Sequence, residues 1–136
     1  MVAAVCSWHE HHELAANEIG RRLDRRERMI VAAPALVEAY AVLTRLPPPH
    51  RISPEAALAL LDNNFIQSVT VVALTAKSYG ALLRLAPEKG ISGGRSYDAV
   101  IGACAEKGKA STLLTFNASD FTALGKHFTV VVPGSV

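Results

Sequence analysis

The sequence predicts an α/β fold in which helices separate the strands of a parallel sheet. Three observations carry this expectation. Short runs rich in valine and isoleucine alternate with longer runs whose apolar residues recur at helical spacing. Proline, serine and threonine stand where the longer runs begin, and proline or glycine where they end. The chain has 136 residues, half of them apolar and 19% charged. That is enough to bury a core without disulfides, and too apolar for a disordered chain. With no internal repeat, low-complexity tract or linker, a single domain over residues 1–136 is expected.

The elements follow in order. Residues 2–6 are a short apolar run that reads as the tail of a strand. Over residues 11–26 the pattern is helical: Ala15, Ile19 and Leu23 share one face, and Arg21, Arg22, Arg25 and Arg26 line another. Residues 29–33 read as a buried strand. Pro34 suits the first position of a helix over residues 35–46, which the prolines at 47, 48 and 49 end. Ser53, Pro54 and Glu55 give a capping hydroxyl, a proline at N1 and an acid in the first turn of a helix reaching residue 63. Residues 69–74 are valine-rich and read as a strand. Thr75 caps the next helix, which carries Tyr79, Leu82 and Leu83 and stops near residues 87–90. A glycine-rich loop at 90–94 leads to a helix over 96–107, ended by Gly108. Strands at 112–115 and 128–132 flank a loop at 117–124 that has room for one helical turn.

Composition excludes some functions. The net charge of +2 is too weak to announce nucleic-acid binding by itself. Cys6 and Cys104 have no metal-type spacing and sit in apolar surroundings. They read as buried free thiols, which suits a reducing cytoplasm. No apolar run approaches the ~18 residues of a membrane span. The start lacks the basic region and long apolar core of a signal peptide.

Parallel α/β sheets place ligands at the carboxyl ends of their strands, and three acidic places in the chain are candidates for chemistry. Glu38 lies in residues 35–43 (ALVEAYAVL), a helix apolar on nearly every face. A buried lone carboxylate needs a cation or several donors. The alternative is a glutamate on the one wet stripe, or one paired with Arg45. Asp98 comes early in a second mostly apolar helix, where it either ligates a cation or serves the helix dipole. Asn117 and Asp120 follow a strand and either face a metal or make an Asx turn or cap. Oxygen ligands on separate elements suit Mg²⁺ or Mn²⁺. A cluster of such acids is the usual arrangement for metal-assisted phosphodiester hydrolysis.

Other features read more plainly. His9, His11 and His12 with Glu10 hint at a metal site, but no partner cluster is visible, and an exposed helix start is the better reading. The four arginines read as a solvated face or, if functional, as contacts to RNA phosphates or an acidic partner. Arg95, beside Asp98, is the better candidate for substrate contact. Gly93 and Gly94 match neither the P-loop nor the dinucleotide fingerprint and read as a turn.

Residues 93–103 (GGRSYDAVIGA) and 113–121 (LLTFNASDF) together resemble the C-terminal half of PIN-domain ribonucleases, above all the VapC toxins of bacterial toxin–antitoxin pairs. Residues 34–45 (PALVEAYAVLTR) match that family's second acidic motif, and residues 2–12 resemble the stretch after its first strand. The resemblance implies a three-layer α/β/α fold with a central parallel sheet of about four to five strands. It implies a Mg²⁺- or Mn²⁺-dependent endoribonuclease in the cytoplasm, with RNA as substrate, a cognate antitoxin as partner, and a homodimer. It assigns Glu38, Asp98 and Asp120 to catalysis, Asp98, Glu38 and Asn117 to the metal, and Arg95 and Thr115 to the substrate. The family also carries an aspartate at the end of its first strand, within Asp-Thr/Ser-x-Val/Leu. Here no acid precedes Glu10. The expectation is an upstream start that restores this aspartate and the beginning of that strand; the alternative is that this copy has lost the ligand. Two rival functions remain: a catalytically impaired PIN-like module that binds RNA or protein, and a flavodoxin-like binder of a small ligand.

Overall fold

Most of the punctuation acts where the sequence places it. A computed structural model describes residues 1–124 and 127–135. In chain order the elements are α1 Val2–Val5, α2 His12–Asp24, β1 Ile30–Ala32, α3 Ala33–Arg45, α4 Pro54–Phe65, β2 Thr70–Val72, α5 Ala76–Leu85, α6 Arg95–Lys107, β3 Thr112–Leu114, a 3₁₀ turn Ala118–Asp120 and β4 Thr129–Val131. Ser53 Oγ accepts the Ala56 N–H at 3.1 Å, and Thr75 Oγ1 accepts the Ser78 N–H at 3.2 Å, so both hydroxyls cap their helices. Gly90 and Gly93 both adopt left-handed φ, 65° and 58°, which is why the loop before α6 is glycine-rich. Lys109, rather than Gly108, takes the left-handed position after α6.

The α/β class holds, with a small number of strands. Among the described residues the strands pair two by two, β1 with β2 and β3 with β4. The second pair is parallel, with Leu113 opposite Val130. Residues 2–6 differ from expectation: they form the helix α1 rather than a strand tail, with Cys6 N–H donating to the Val2 carbonyl at 3.0 Å. A short apolar run has no periodicity to separate strand from helix, and the two alanines favour the helix.

The chain divides into two compact units, Met1–Val71 and Val72–Ser135. In the first, Ala39 and Leu43 on α3 meet Ala57, Leu61 and Phe65 on α4, over Val31 of β1 and Cys6. Both helices contribute at i, i+4 spacing, so one ridge of each enters the contact. In the second, Ala105 of α6 packs with Leu113, Phe121 and Phe128, and Ile101 extends the contact. Both cysteines are free and buried. Burial raises each thiol above its ordinary range, which leaves them unreactive at neutral pH. Among the described residues no helix is long and apolar enough to cross a membrane.

Part of the arginine stripe on α2 has an internal task. Glu18 is buried, and Arg21 donates to both of its oxygens at 2.6 and 2.7 Å. Arg22 adds a bond at 2.8 Å and a second to Glu27 at 2.9 Å. Arg26 takes a left-handed φ of 62° just past the helix end. Bonds from Arg21, then Arg22, hold the Glu18 carboxyl below its ordinary value of 4.5. The folded protein therefore binds that proton more weakly than the unfolded chain, and the stabilisation is present above that value and lost as pH falls through the folded one. We expect Glu18→Gln to lower unfolding free energy by about 1–2 kcal/mol at pH 7. Urea titrations should show the gap between the two proteins closing as the pH is taken below 4.5.

Candidate metal centre

Each unit carries its acidic candidates at the carboxyl end of a strand. In the first unit α3 begins directly after β1, so Glu38 falls in the second turn of the helix, close to the strand end. The helix buries only Ala39 and Leu43. Glu38 is exposed, as are Val37 at 71% and Tyr40 at 38%. The expectation of a buried carboxylate is thus corrected: an apolar composition let the sequence suggest burial on every side, whereas one face of α3 is open. The pairing with Arg45 is not made among the described residues. A nearby charge is the α-amino group of Met1, which burial makes less basic and the Glu38 carboxylate makes more so.

In the second unit Asp98, Ile101 and Ala105 recur at i, i+3 and i+7, so they share a face of α6. Ala105 forms a buried cluster with Leu113 of β3, Phe121 and Phe128, and Ile101 packs against that cluster. The loop 108–111 between α6 and β3 is short. Asp98 lies in the first turn of α6, and Asn117 and Asp120 follow the end of β3.

The turn carrying them is held by its own backbone. Thr115 N–H donates to the Val131 carbonyl at 3.1 Å, extending the ladder of β3 and β4. Thr115 Oγ1 accepts the Asn117 N–H at 3.0 Å, and Asp120 N–H donates to the Asn117 carbonyl at 3.0 Å. Asn117 precedes the 3₁₀ turn without a side-chain cap bond, so its amide is not used as the cap that the sequence left open. Asp98 is partly exposed in the first turn of α6, where the helix dipole favours its charge, and Arg95 is exposed one turn before it. Ser96 Oγ bonds back to the Gly93 carbonyl, closing the glycine loop onto the helix start.

Among the described residues no group of three His, Cys, Asp or Glu side chains stands ready to hold an ion. The donors at this end of the second unit are two carboxylates and one amide oxygen, a hard-oxygen set that fits Mg²⁺ or Mn²⁺ rather than zinc. The histidines near the chain start are engaged otherwise. His12 Nδ1 bonds with the Ala3 carbonyl at 2.8 Å, and His9 Nδ1 accepts the His11 N–H at 3.1 Å. His9 lies before α2 rather than on a shared helix face with His12. An apolar cleft of about 220 Å³ lined by Ala16, Ile19, Leu23 and Phe65 holds no candidate acid.

Two features escaped the sequence reading. Glu18 had a visible signal, its spacing to Arg21 and Arg22 at i+3 and i+4. The stacking of Trp8 on His50 had none, because 42 residues separate the two. The turn itself is open to test: Thr115→Val removes the acceptor for the Asn117 N–H. It should lower stability by about 1 kcal/mol in urea unfolding, whereas Thr115→Ser should restore it.

Comparison with known proteins shows the family. The model of the PIN domain matches residues 1–126. Ribonuclease VapC40 of Mycobacterium tuberculosis, in strains CDC 1551 / Oshkosh and ATCC 25618 / H37Rv, is 44% identical over 113 residues, 83% of this chain and 78% of the relative. Ribonuclease VapC27 of the latter strain is 32% identical over 108 residues, 79% of this chain and 66% of the relative. The chain belongs to the PIN-domain family.

Proposed function

We propose that this protein is a metal-dependent endoribonuclease that hydrolyses RNA phosphodiesters as the toxin of a toxin–antitoxin pair. The observation that carries the reading is Asp98 in the first turn of α6, with Asn117 and Asp120 just after β3, in a chain with VapC ribonucleases among its relatives. Asp98 and Asn117 would supply oxygen ligands for Mg²⁺ or Mn²⁺, and the resemblance to the family gives Glu38 the same role. Such a cation would acidify an attacking water and offset charge on the phosphate. Asp120, on the same turn as Asn117, orients that water or takes its proton. Arg95, exposed on α6, holds a phosphate oxygen of the RNA. Thr115 fixes Asn117 through its accepting bond and directs its own proton toward a substrate oxygen.

The reading includes an antitoxin that covers the acids, and a homodimer. Support comes from the neighbours of the two acids: Val37 beside Glu38 is 71% exposed and Tyr97 beside Asp98 is 73% exposed. Apolar surface next to carboxylates suits a partner segment with both apolar and basic side chains. Free buried thiols suit action in the cytoplasm. The rival reading, a module that binds without cutting, draws on Asn117, whose amide brings less charge to a cation than an aspartate.

The test is cleavage of RNA with Mg²⁺. The protein should cut, chelation should stop it, and Asp98→Ala or Glu38→Gln should slow it by about 100-fold or more. Equal cleavage by Asp98→Ala and the parent would remove Asp98 from the mechanism. Tight RNA binding without cleavage would favour the rival.

A further inference from the structure

Trp8 is the only tryptophan in the chain, and 45% of it is exposed. It lies in the turn between α1 and α2. Its ring stacks on His50, from the loop between α3 and α4, with centroids 4.0 Å apart and planes 23° from parallel. His9 lies 5.8 Å from Trp8 at a tilt of 42°, and His11 lies 5.6 Å from His9. Trp8 and His50 thus form a stacked pair within the first unit, with His9 and then His11 tilted beside it.

The backbone on both sides is fixed. His9 N–H donates to the Cys6 carbonyl at 2.9 Å, and His12 N–H to the His9 carbonyl at 2.9 Å. On the other side the prolines at 47, 48 and 49 restrict φ, and His50 N–H donates to the Pro47 carbonyl at 3.0 Å. The indole is therefore held in place from both sides, with one face against an imidazole and much of its area open to water. A tryptophan serving only to join two loops would gain most by full burial.

We infer that the stacked pair of Trp8 and His50, continued by His9, is a base-stacking platform for single-stranded RNA. This rests on the ribonuclease reading and adds the place on the first unit where a base of the substrate would lie. The surface consists of flat rings with polar edges rather than aliphatic side chains, which favours a nucleobase over an apolar peptide. Arg51, exposed and next to His50, adds a cation for the RNA backbone. The one acid among the rings, Glu10, is paired with His11 at 3.5 Å.

The single tryptophan makes the platform directly observable. In the non-cutting Asp98→Ala protein, Trp8 fluorescence should be quenched by an RNA oligomer of about twelve nucleotides and not by an abasic ribose–phosphate oligomer of equal length. With a labelled RNA followed by anisotropy, Trp8→Leu in that background should bind about 5- to 150-fold more weakly. Trp8→Phe should retain most of the affinity. The slope of affinity against salt should stay the same, because stacking releases no counterions. Bound RNA that leaves Trp8 fluorescence unchanged, or equal affinity of Trp8→Leu and its parent, overturns the platform while cleavage by the intact protein keeps the ribonuclease reading. If Trp8→Leu fails to fold by circular dichroism, the fluorescence of the intact Trp8 and the affinity of His50→Ala decide. Fluorescence that follows protein concentration and not RNA assigns the rings to a protein contact and also overturns the proposal. Absence of both RNA binding and cleavage in the intact protein overturns both readings.

Discussion

The second unit depends on one apolar cluster, in which Ala105 of α6, Leu113 of β3, Phe121 and Phe128 are buried together and Ile101 packs against them. Asp98 stands on the first turn of α6, ahead of Ile101 and Ala105. Asn117 and Asp120 stand where the strand stops, on a turn closed by Thr115 and by the ladder to Val131.

Much of this was legible in the sequence. Ser53 and Thr75 cap their helices because a short hydroxyl before a helical run has few other uses. Pro34, Gly90 and Gly93 mark boundaries through φ alone. Asn117 and Asp120 follow β3, where the alternation of helix and strand puts a strand end. What was not legible depended on surroundings. Glu38 was expected to be buried because α3 is apolar, but whether the face of a helix meets a neighbour or water is not written in that helix. Residues 2–5 became helix because a run of four or five apolar residues carries too little pattern to decide. The stack of Trp8 on His50 joins distant loops, and no local pattern records it.

Charge tells a similar story. The four arginines on and just after α2 read as a solvated face or as contacts to RNA or an acidic partner, and Arg21 and Arg22 satisfy Glu18, with Arg22 also meeting Glu27. Arginines committed to buried or neighbouring carboxylates contribute less to an external field. With a formal net charge of only +2, the protein has to draw RNA affinity from a few placed groups.

The central claim is that the start of α6 and the turn after β3 make one cation site. Calorimetric titration with Mn²⁺ tests it most directly, using the intact protein, Asp98→Asn, Asn117→Ala and the pair combined. The account predicts that each substitution weakens binding and that the double substitution weakens it by less than the two effects added together, since both residues serve the same ion. Unchanged Mn²⁺ affinity in Asp98→Asn, or strictly additive losses, would contradict it.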